Sequence, residues 1–238
     1  MPLDDGKPGV RWAALGAAGA VAAHALPALA NPVPAVRRLL AIEAHTASGE
    51  GVALTFDDGP HPAGTVAVLE ALRAHGARAT FFMVGEQVAR APGLAAEVAA
   101  AGHGIALHCD RHRNLLRLTP GQVSDDLARA TDRIVSATGV MPRLHRPPYG
   151  VYSSAGLWLA RRRELRALLW THWAHDWSAR ADARSIADEV TRDLRAGSVL
   201  LLHDGDAYSS AGAWRNTAAA LPDVLERIEA SGLPVVAP

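Results

Sequence analysis

The amino-acid sequence predicts an α/β fold, a barrel with about seven parallel strands. Strand-like and helix-like segments alternate from Gly51 onward, which indicates parallel strands joined by helices. About seven such repeats are many for a small open sheet, whereas 238 residues is a usual length for one α/β barrel. We therefore expect one domain over residues 51–238, preceded by an Ala-rich segment and linker over residues 1–50.

Apolar runs bounded by turn-forming residues predict the strands. The first is VALTF, residues 52–56, directly before two aspartates, and the second is ATFFMV, residues 79–84. Further runs predict strands over residues 104–108, 143–146, 166–173, 198–202 and 234–236. Helix-like segments separate most of these runs, as repeated strand–helix units require.

Helical spacing of apolar residues and capping signals predict the helices between these strands. The clearest begins after Thr119, an N-cap residue followed by Pro120 at the first helical position, and ends at Gly139. Glycines also follow several of the others, as expected where a helix ends. We predict these other helices over residues 65–75, 86–101, 153–163, 182–196 and 217–230.

Titratable residues follow the predicted strands at the points where the strands end. Asp57 and Asp58 follow the first strand, His108 closes the third and Arg146 closes the fourth. The fifth and sixth strands are followed or closed by His175, Asp176, His203 and Asp204. In a parallel barrel the carboxyl ends of all strands meet on one face, where such folds carry their functional sites. The sequence therefore predicts a site on that face.

The adjacent carboxylates of TFDDGP repel each other unless a cation lies between or beside them. His108 and His112 are spaced so that both imidazoles can reach one side of a helical turn and share an ion. Together with Asp58 they form a ligand set that suits Zn²⁺ and leaves coordination positions open. We therefore expect a divalent metal cofactor, Zn²⁺ first and Co²⁺ as the alternative.

Five motifs occur in the order typical of one enzyme family: TFDDGP, HCDRHRN, RPPYG, the HDW of WTHWAHDWS, and LLHD. In these motifs the chain resembles the polysaccharide deacetylases, carbohydrate esterase family 4, from about Gly51 to the C-terminus. The resemblance implies a distorted (β/α) barrel, commonly with seven strands. It also implies metal-dependent hydrolysis of N- or O-acetyl groups on glycans such as chitin, peptidoglycan and xylan.

The resemblance assigns roles to the residues of these motifs. Asp57 is similar to the family's general base, and Asp58, His108 and His112 to its metal ligands. Arg146 resembles the arginine that pairs with the base and keeps it ionised. A solvated aspartate turn and a rigid Arg-Pro-Pro connector are the plain structural alternatives.

The later motifs supply the remaining roles by the same resemblance. His203 corresponds to the general acid and Asp176 to the carboxylate that orients it. The backbone N–H of Tyr149 would hold the oxyanion, and Trp177 and Leu201 would line the pocket for the acetyl methyl group. The alternatives are a helix-capping role for Asp176 and ordinary core positions for Trp177 and Leu201.

Cys109 departs from the family pattern, which usually has Ser or Thr directly after the first histidine of the second motif. We expect a tolerated replacement, because adjacent residues rarely both point at one ion; a thiolate ligand is the alternative. His172 and His175 form another histidine pair, for which we expect no metal role because no further carboxylate or thiol follows a matching pattern.

Three functions remain open from the sequence. The first is a deacetylase acting on a glycan or another acetylated sugar. The second is a deacetylase or amidase acting on a small sugar-containing metabolite, and the third is an inactive metal-bearing glycan-binding barrel. Lys plus Arg and Asp plus Glu both number 24, so we expect no nucleic-acid partner. One cysteine excludes an internal disulfide, and we expect a monomer.

The N-terminus has two interpretations. Residues 12–30 read WAALGAAGAVAAHALPALA and end in an A-x-A-like site, which is typical of a secretory signal peptide. Asp4 and Asp5 argue against this, since they cancel the positive charge that precedes the apolar run. The alternative is an Ala-rich helix that packs on the domain or associates with a membrane surface. We expect a secreted or cell-envelope-associated protein, with a cytoplasmic location as the alternative.

Overall fold

The computed structural model describes residues 18–238. Seven strands form one sheet in which every pair is parallel, in the order β5-β4-β3-β2-β1-β7-β6. The strands are β1 Val52–Asp57, β2 Thr80–Met83, β3 Gly104–Leu107, β4 Leu144–His145, β5 Arg166–Ala167, β6 His172–Trp173 and β7 Ser198–His203. The sheet curls into an open barrel, which confirms the predicted α/β fold and its strand number.

The helices alternate with these strands. They are α1 Pro34–Leu39, α2 Gly64–Ala74, α3 Gly85–Arg90, α4 Pro92–Ala100, α5 Pro120–Thr138, α6 Ser154–Arg162, α7 Ala183–Val190 and α8 Ala213–Ala230. Short 3₁₀ turns span Leu26–Ala30, Leu115–Arg117 and Pro148–Gly150, and residues 18–25 are helical. Within residues 18–238, no helix combines the length and the apolar character needed to cross a bilayer.

The core surrounds the central strands. All six residues of β1 are buried, and β1 pairs with β2 on one side and β7 on the other. Burial of both faces is the normal state of a parallel strand covered by helices, and it explains why these strands read as continuous apolar runs. The rigid centre of the sheet therefore carries Asp57 and His203, which are paired residues at the ends of β1 and β7.

The predicted strand over residues 166–173 is two strands at opposite ends of the sheet. β5 pairs with β4, and β6 pairs with β7. Between them the chain leaves the sheet, because the carbonyls of Leu168 and Leu169 accept hydrogen bonds from the Arg146 guanidinium instead of from a neighbouring strand. The Leu169 N–H donates to the Glu43 carbonyl at 2.8 Å.

Four other predicted elements differ from the structure. The helix predicted over residues 182–196 already ends at Val190, as α7. The helix over residues 86–101 is broken into α3 and α4, because Pro92 lacks an N–H and favours the start of a new helix. The last helix begins at Ala213 rather than Thr217. The last predicted strand is reduced to a single bridge between Val235 and Val52.

The N-terminal segment contacts the domain from residue 23 onward, where the Ala23 carbonyl accepts from the Ser154 hydroxyl at 2.6 Å. Ala30, Ile42 and Ala44 belong to the buried core, and Glu43 forms an isolated parallel bridge with Leu168. The domain boundary at residue 51 stays a prediction, and so does the signal peptide. The first part of that predicted segment, residues 12–17, lies outside the described residues.

Candidate active site and metal centre

The carboxyl ends of the parallel strands bring the predicted residues to one face of the sheet. Asp57 is the last residue of β1, and Asp58 follows it with a left-handed backbone, φ 80°. His108 follows β3, where its N–H donates to the Met83 carbonyl at 2.9 Å. His203 ends β7 directly beside Asp57.

Asp58, His108 and His112 form a cluster whose ligand atoms all lie within 4.8 Å of one another. The Asp58 Oδ1 atom lies 3.6 Å from His108 Nε2 and 3.4 Å from His112 Nε2. It is buried and has no hydrogen-bond partner among the described residues. Burial raises the pKa of the Asp58 carboxyl to about 7, so a cation is what would keep it ionised. This unsatisfied oxygen beside two imidazoles fits a divalent metal.

Both histidines of the cluster are suited to bind a cation as neutral imidazoles. His108 Nδ1 donates to the Arg146 carbonyl at 2.7 Å, which leaves Nε2 as the free ligand atom. Burial lowers the pKa of each histidine to about 3. The His112 ring stacks on Tyr208 at 4.4 Å and meets the edge of Tyr149 at 4.6 Å.

The predicted base, Asp57, is held by a fully buried arginine. The Arg146 Nη1 atom donates to Asp57 Oδ1 at 2.6 Å and to Thr55 Oγ1 at 3.0 Å. The carbonyls of Leu168 and Leu169 accept from the other guanidinium nitrogens, at 3.2 Å and 3.0 Å. With its guanidinium fixed in this way, Arg146 holds the Asp57 carboxyl in place and leaves Oδ2 facing the cluster, 3.8 Å from His108 Nε2.

The predicted acid, His203, is held by a buried carboxylate. Its Nδ1 donates to Asp176 Oδ1 at 2.8 Å, and its backbone N–H donates to Oδ2 at 2.7 Å. The Thr217 hydroxyl also donates to Oδ2, at 2.9 Å. Burial alone would lower the pKa of His203, but the Asp176 carboxylate, together with Asp58 and Asp57, outweighs burial and raises this pKa to about 10. His203 is therefore protonated at neutral pH, with Nε2–H available to a substrate.

A cleft of about 260 Å³ opens above these groups. Its wall includes Tyr149, Trp177 and Leu201, the three residues predicted to contact substrate, together with Asp58, His108, His112 and His203. The Trp177 ring meets the edge of His203 at 5.4 Å, and Tyr149 has a left-handed backbone, φ 61°. The cleft is large enough for an acetyl group and part of one sugar.

Comparison with known proteins identifies the family. The family model described as polysaccharide deacetylase matches residues 44–168. The chain belongs to the polysaccharide deacetylase family. Members of this family use a divalent metal, and the Asp58, His108 and His112 cluster is the candidate site for it.

Named members of the polysaccharide deacetylase family are similar to most of the chain. A chitooligosaccharide deacetylase of Bradyrhizobium sp. (strain ANU 289) is 39% identical over 73% of this chain and 78% of that protein. A peptidoglycan-N-acetylglucosamine deacetylase of Bacillus cereus is 33% identical over 76% and 83%. The solved family 4 carbohydrate esterase from Streptomyces lividans, in complex with acetate, is 33% identical with a TM-score of 0.71, over 79% of this chain and 98% of that one.

Cys109, the departure from the polysaccharide deacetylase pattern, points away from the metal cluster. Its buried Sγ lies 3.5 Å from His145 Nε2, and burial raises the pKa of the thiol well above its usual value. The described residues contain one cluster of this kind, and it includes neither Cys109 nor the pair His172 and His175. His175 Nδ1 instead lies 3.4 Å from Glu189 Oε2.

Several residues of the site belong to no motif that would identify them from the sequence. Tyr208 packs on His112, and Asn31, Trp170 and Trp173 line the cleft. Asn31 comes from the N-terminal segment, far from every motif in the sequence. Both tryptophans come shortly before the HDW motif in the sequence, and that proximity is the one available indication that they lie near the site.

Proposed function

We propose that this member of the polysaccharide deacetylase family is a metal-dependent hydrolase that removes N-acetyl groups from a glycan such as peptidoglycan or chito-oligosaccharide. O-acetyl groups are open to the same chemistry. The named activities of its relatives support this proposal. The observation that carries it is the placement of Asp57 and His203 side by side at the ends of β1 and β7, next to the candidate metal cluster.

The residues divide the reaction between a base and an acid. Asp58, His108 and His112 would hold a divalent ion, which would supply Lewis-acid chemistry by acidifying water and polarising a carbonyl. Asp57 Oδ2 takes the proton from the attacking water, while Arg146 holds Oδ1 in place. Because Arg146 is itself anchored on two carbonyls, the base is oriented before substrate arrives.

The leaving group receives its proton from His203. Its Nδ1–H is engaged by Asp176, so Nε2–H is the proton that reaches the departing amine or hydroxyl. The backbone N–H of Tyr149 is proposed to stabilise the oxyanion. Trp177 and Leu201 are proposed to contact the acetyl methyl group, since both line the cleft beside His203.

Zn²⁺ is the proposed metal. Two neutral imidazoles and one carboxylate, with positions left open, form a ligand set typical of catalytic zinc. Co²⁺ accepts the same ligands and is the alternative. Metal analysis of the purified protein, followed by chelation and readdition of each ion, decides between them.

Acetate release from a panel of acetylated substrates tests the proposal. The panel contains chito-oligosaccharides, peptidoglycan fragments, acetylxylan and small N-acetyl sugars, each with zinc and after chelation. Metal-dependent release from an oligosaccharide is the expected result. Release from the small sugars alone would instead favour a metabolite deacetylase, and no release from any substrate would favour an inactive binding barrel.

Asp57→Asn separates catalysis from metal binding. We expect acetate release to fall by about 10²–10⁴-fold, the usual contribution of a general base, while zinc content stays at the wild-type level. We expect the variant to retain zinc because Asp57 is not one of the three cluster ligands. Persistent acetate release in this variant would mean that another group is the base.

We also propose that the protein acts outside the cytoplasm or at the cell envelope, as a monomer. The apolar, A-x-A-ended segment over residues 12–30 supports export or membrane association. Fractionation of cells that express the full chain, followed by N-terminal sequencing and light scattering of the purified protein, tests location, cleavage and oligomeric state.

A further inference from the structure

A second cavity lies beside the active-site cleft. It measures about 430 Å³, and its wall includes Asn31, Arg37, His45, Trp170 and Trp173. Asn31, Trp170 and Trp173 also line the cleft that holds the metal cluster. Because the two cavities share these three side chains, they form one groove that continues past the reacting sugar.

The shared wall is aromatic. Trp173 is 42% exposed, and its ring lies 5.4 Å from Trp177 and 4.5 Å from His175. A large, partly exposed indole fixed by aromatic neighbours offers a flat apolar surface at little entropic cost. Such a surface suits the face of a sugar ring.

The far wall is cationic. Arg37 is half-buried and forms no ion pair with any of residues 18–238. Glu43, which lies two residues before His45, is engaged by Arg166 instead. A guanidinium in a cavity without a facing carboxylate favours an oxyanion that it can bind in a bidentate manner.

We propose that this second cavity is a subsite for a sugar that carries an anionic substituent, next to the sugar that loses its acetyl group. Trp173 contacts the ring, and Arg37 with His45 binds the oxyanion. The inference rests on the proposed function, whose substrate class it narrows to acidic glycans. Asn31 and Arg37 precede the residues matched by the family model, 44–168, so the contacts of these two residues lie outside the matched part.

The test uses two pairs of glycans that differ only in charge. The first pair is a peptidoglycan tetrasaccharide with free lactyl carboxylates and the same molecule with those groups converted to primary amides. The second pair is chitotetraose with and without 6-O-sulfate. The measured quantity is the ratio of kcat/KM for the charged and neutral members of each pair, with the zinc-loaded full chain.

Arg37→Ala is the test variant, and Arg38→Ala is its matched control. Arg38 is the next residue of α1, is exposed, and does not line the cavity. We expect Arg37→Ala to lower the charged-to-neutral ratio by about tenfold or more, the loss expected for one charge-assisted hydrogen bond. Arg38→Ala should keep the wild-type ratio.

The outcomes distinguish a failure of the subsite proposal from a failure of the proposed function. A lowered ratio in the carboxylate pair identifies a carboxylated sugar, and one in the sulfate pair alone identifies a sulfated sugar; either supports the subsite. If Arg37→Ala has the wild-type ratio of kcat/KM in both pairs, the subsite proposal is overturned even though acetate is released. If no glycan releases acetate the proposed function fails, and the same ratios of Kd from titration calorimetry then decide the subsite.

Discussion

The ionisable side chains of the site are held in place by partners on other parts of the chain. Asp57 is held by Arg146, 89 residues later, and His203 by Asp176, 27 residues earlier. The second pair strongly affects the pKa of His203, because burial and the Asp176 carboxylate act on this pKa in opposite directions.

Asp176→Asn should change the pH dependence of catalysis. In the wild type the pKa of His203 is about 10, so the acid stays protonated up to that pH and is lost above it. Removal of the carboxylate leaves burial opposed by Asp58 and Asp57, and we expect it to lower the pKa of His203 by about one to three units. We expect the alkaline limb of the kcat/KM profile to move down by that amount.

Thr217→Val is the matched control for that pH profile. It removes the 2.9 Å hydrogen bond to Asp176 but keeps the carboxylate charge, so its alkaline limb should move less. An Asp176→Asn profile that overlays the wild type would show that His203 does not titrate as the acid.

Tyr208 is expected to position the metal ligand His112. His112 Nδ1 is buried and has no partner among the described residues, so ring packing rather than a hydrogen bond fixes its orientation. Tyr208 is anchored in turn, since its hydroxyl donates to Glu86 at 2.5 Å and accepts from Gln87 at 3.0 Å.

Tyr208→Leu should therefore weaken zinc binding by about 10–100-fold, as loss of an outer support of a metal ligand usually does. Tyr208→Phe keeps the stacked ring and should bind zinc nearly as the wild type does. Competition with a chromophoric chelator measures both affinities without any turnover. Equal affinity for zinc in the Leu variant and the wild type would contradict a positioning role.

Sequence reasoning identified the ionisable residues of the site better than their surroundings. The motif residues Asp58, His108 and His112 converge on one cluster as expected, because each follows or lies near a strand end. Tyr208 and Asn31 follow no motif, and their contacts depend on loop paths that periodicity does not encode. Cys109 sits beside a ligand in sequence yet packs on His145, because its left-handed backbone, φ 65°, turns it away from its neighbour.

Among the elements, α5 shows a boundary that local chemistry determines. The Thr119 hydroxyl accepts from the Gln122 N–H at 3.3 Å, and the Gln122 side chain accepts from the Thr119 N–H at 2.9 Å. At the other end, Gly139 adopts a left-handed conformation with φ 71°. Both ends of this helix were predicted from sequence, since capping is local.

Thr119→Ala should destabilise the protein by about 1 kcal/mol through loss of this cap, which lowers Tm by about 2–4 °C. Thr131→Ala is the control on the same helix. Its hydroxyl bonds back to the Leu127 carbonyl at 2.9 Å, and alanine favours helix interiors, so stability should be unchanged or slightly higher. Calorimetry of both variants checks this, and equal Tm losses would contradict the capping account.

The strand that was predicted wrongly over residues 166–173 depends on distant contacts. Nothing local in residues 166–173 shows that Arg146 takes the carbonyls of Leu168 and Leu169 and so divides one strand into β5 and β6. The strand number nevertheless agrees, because this division offsets the loss of the last predicted strand to a bridge at Val235. Apolar periodicity therefore identified the layers of the fold, while buried polar contacts decided where individual strands end.

At the scale of the whole molecule, part of the N-terminal segment packs into the core of the barrel. Ile42 is 4% exposed within the core, whereas Leu39, three residues earlier, is 78% exposed. We expect Ile42→Ala to cost about 2–5 kcal/mol of unfolding free energy and Leu39→Ala less than about 0.5 kcal/mol. Urea denaturation measures both. Equal urea midpoints for the two variants would mean that the N-terminal segment does not unfold cooperatively with the barrel.

The bridge between Glu43 and Leu168 has a consequence for colloidal behaviour. The Glu43 N–H and carbonyl bond to Ala167 and Leu169, both at 2.8 Å, and so occupy the outer side of the terminal strand β5. An uncovered terminal strand is a template on which a second molecule can add its own strand. A chain shortened past residue 43 would therefore be prone to self-association and precipitation even where its catalytic groups stay correctly arranged.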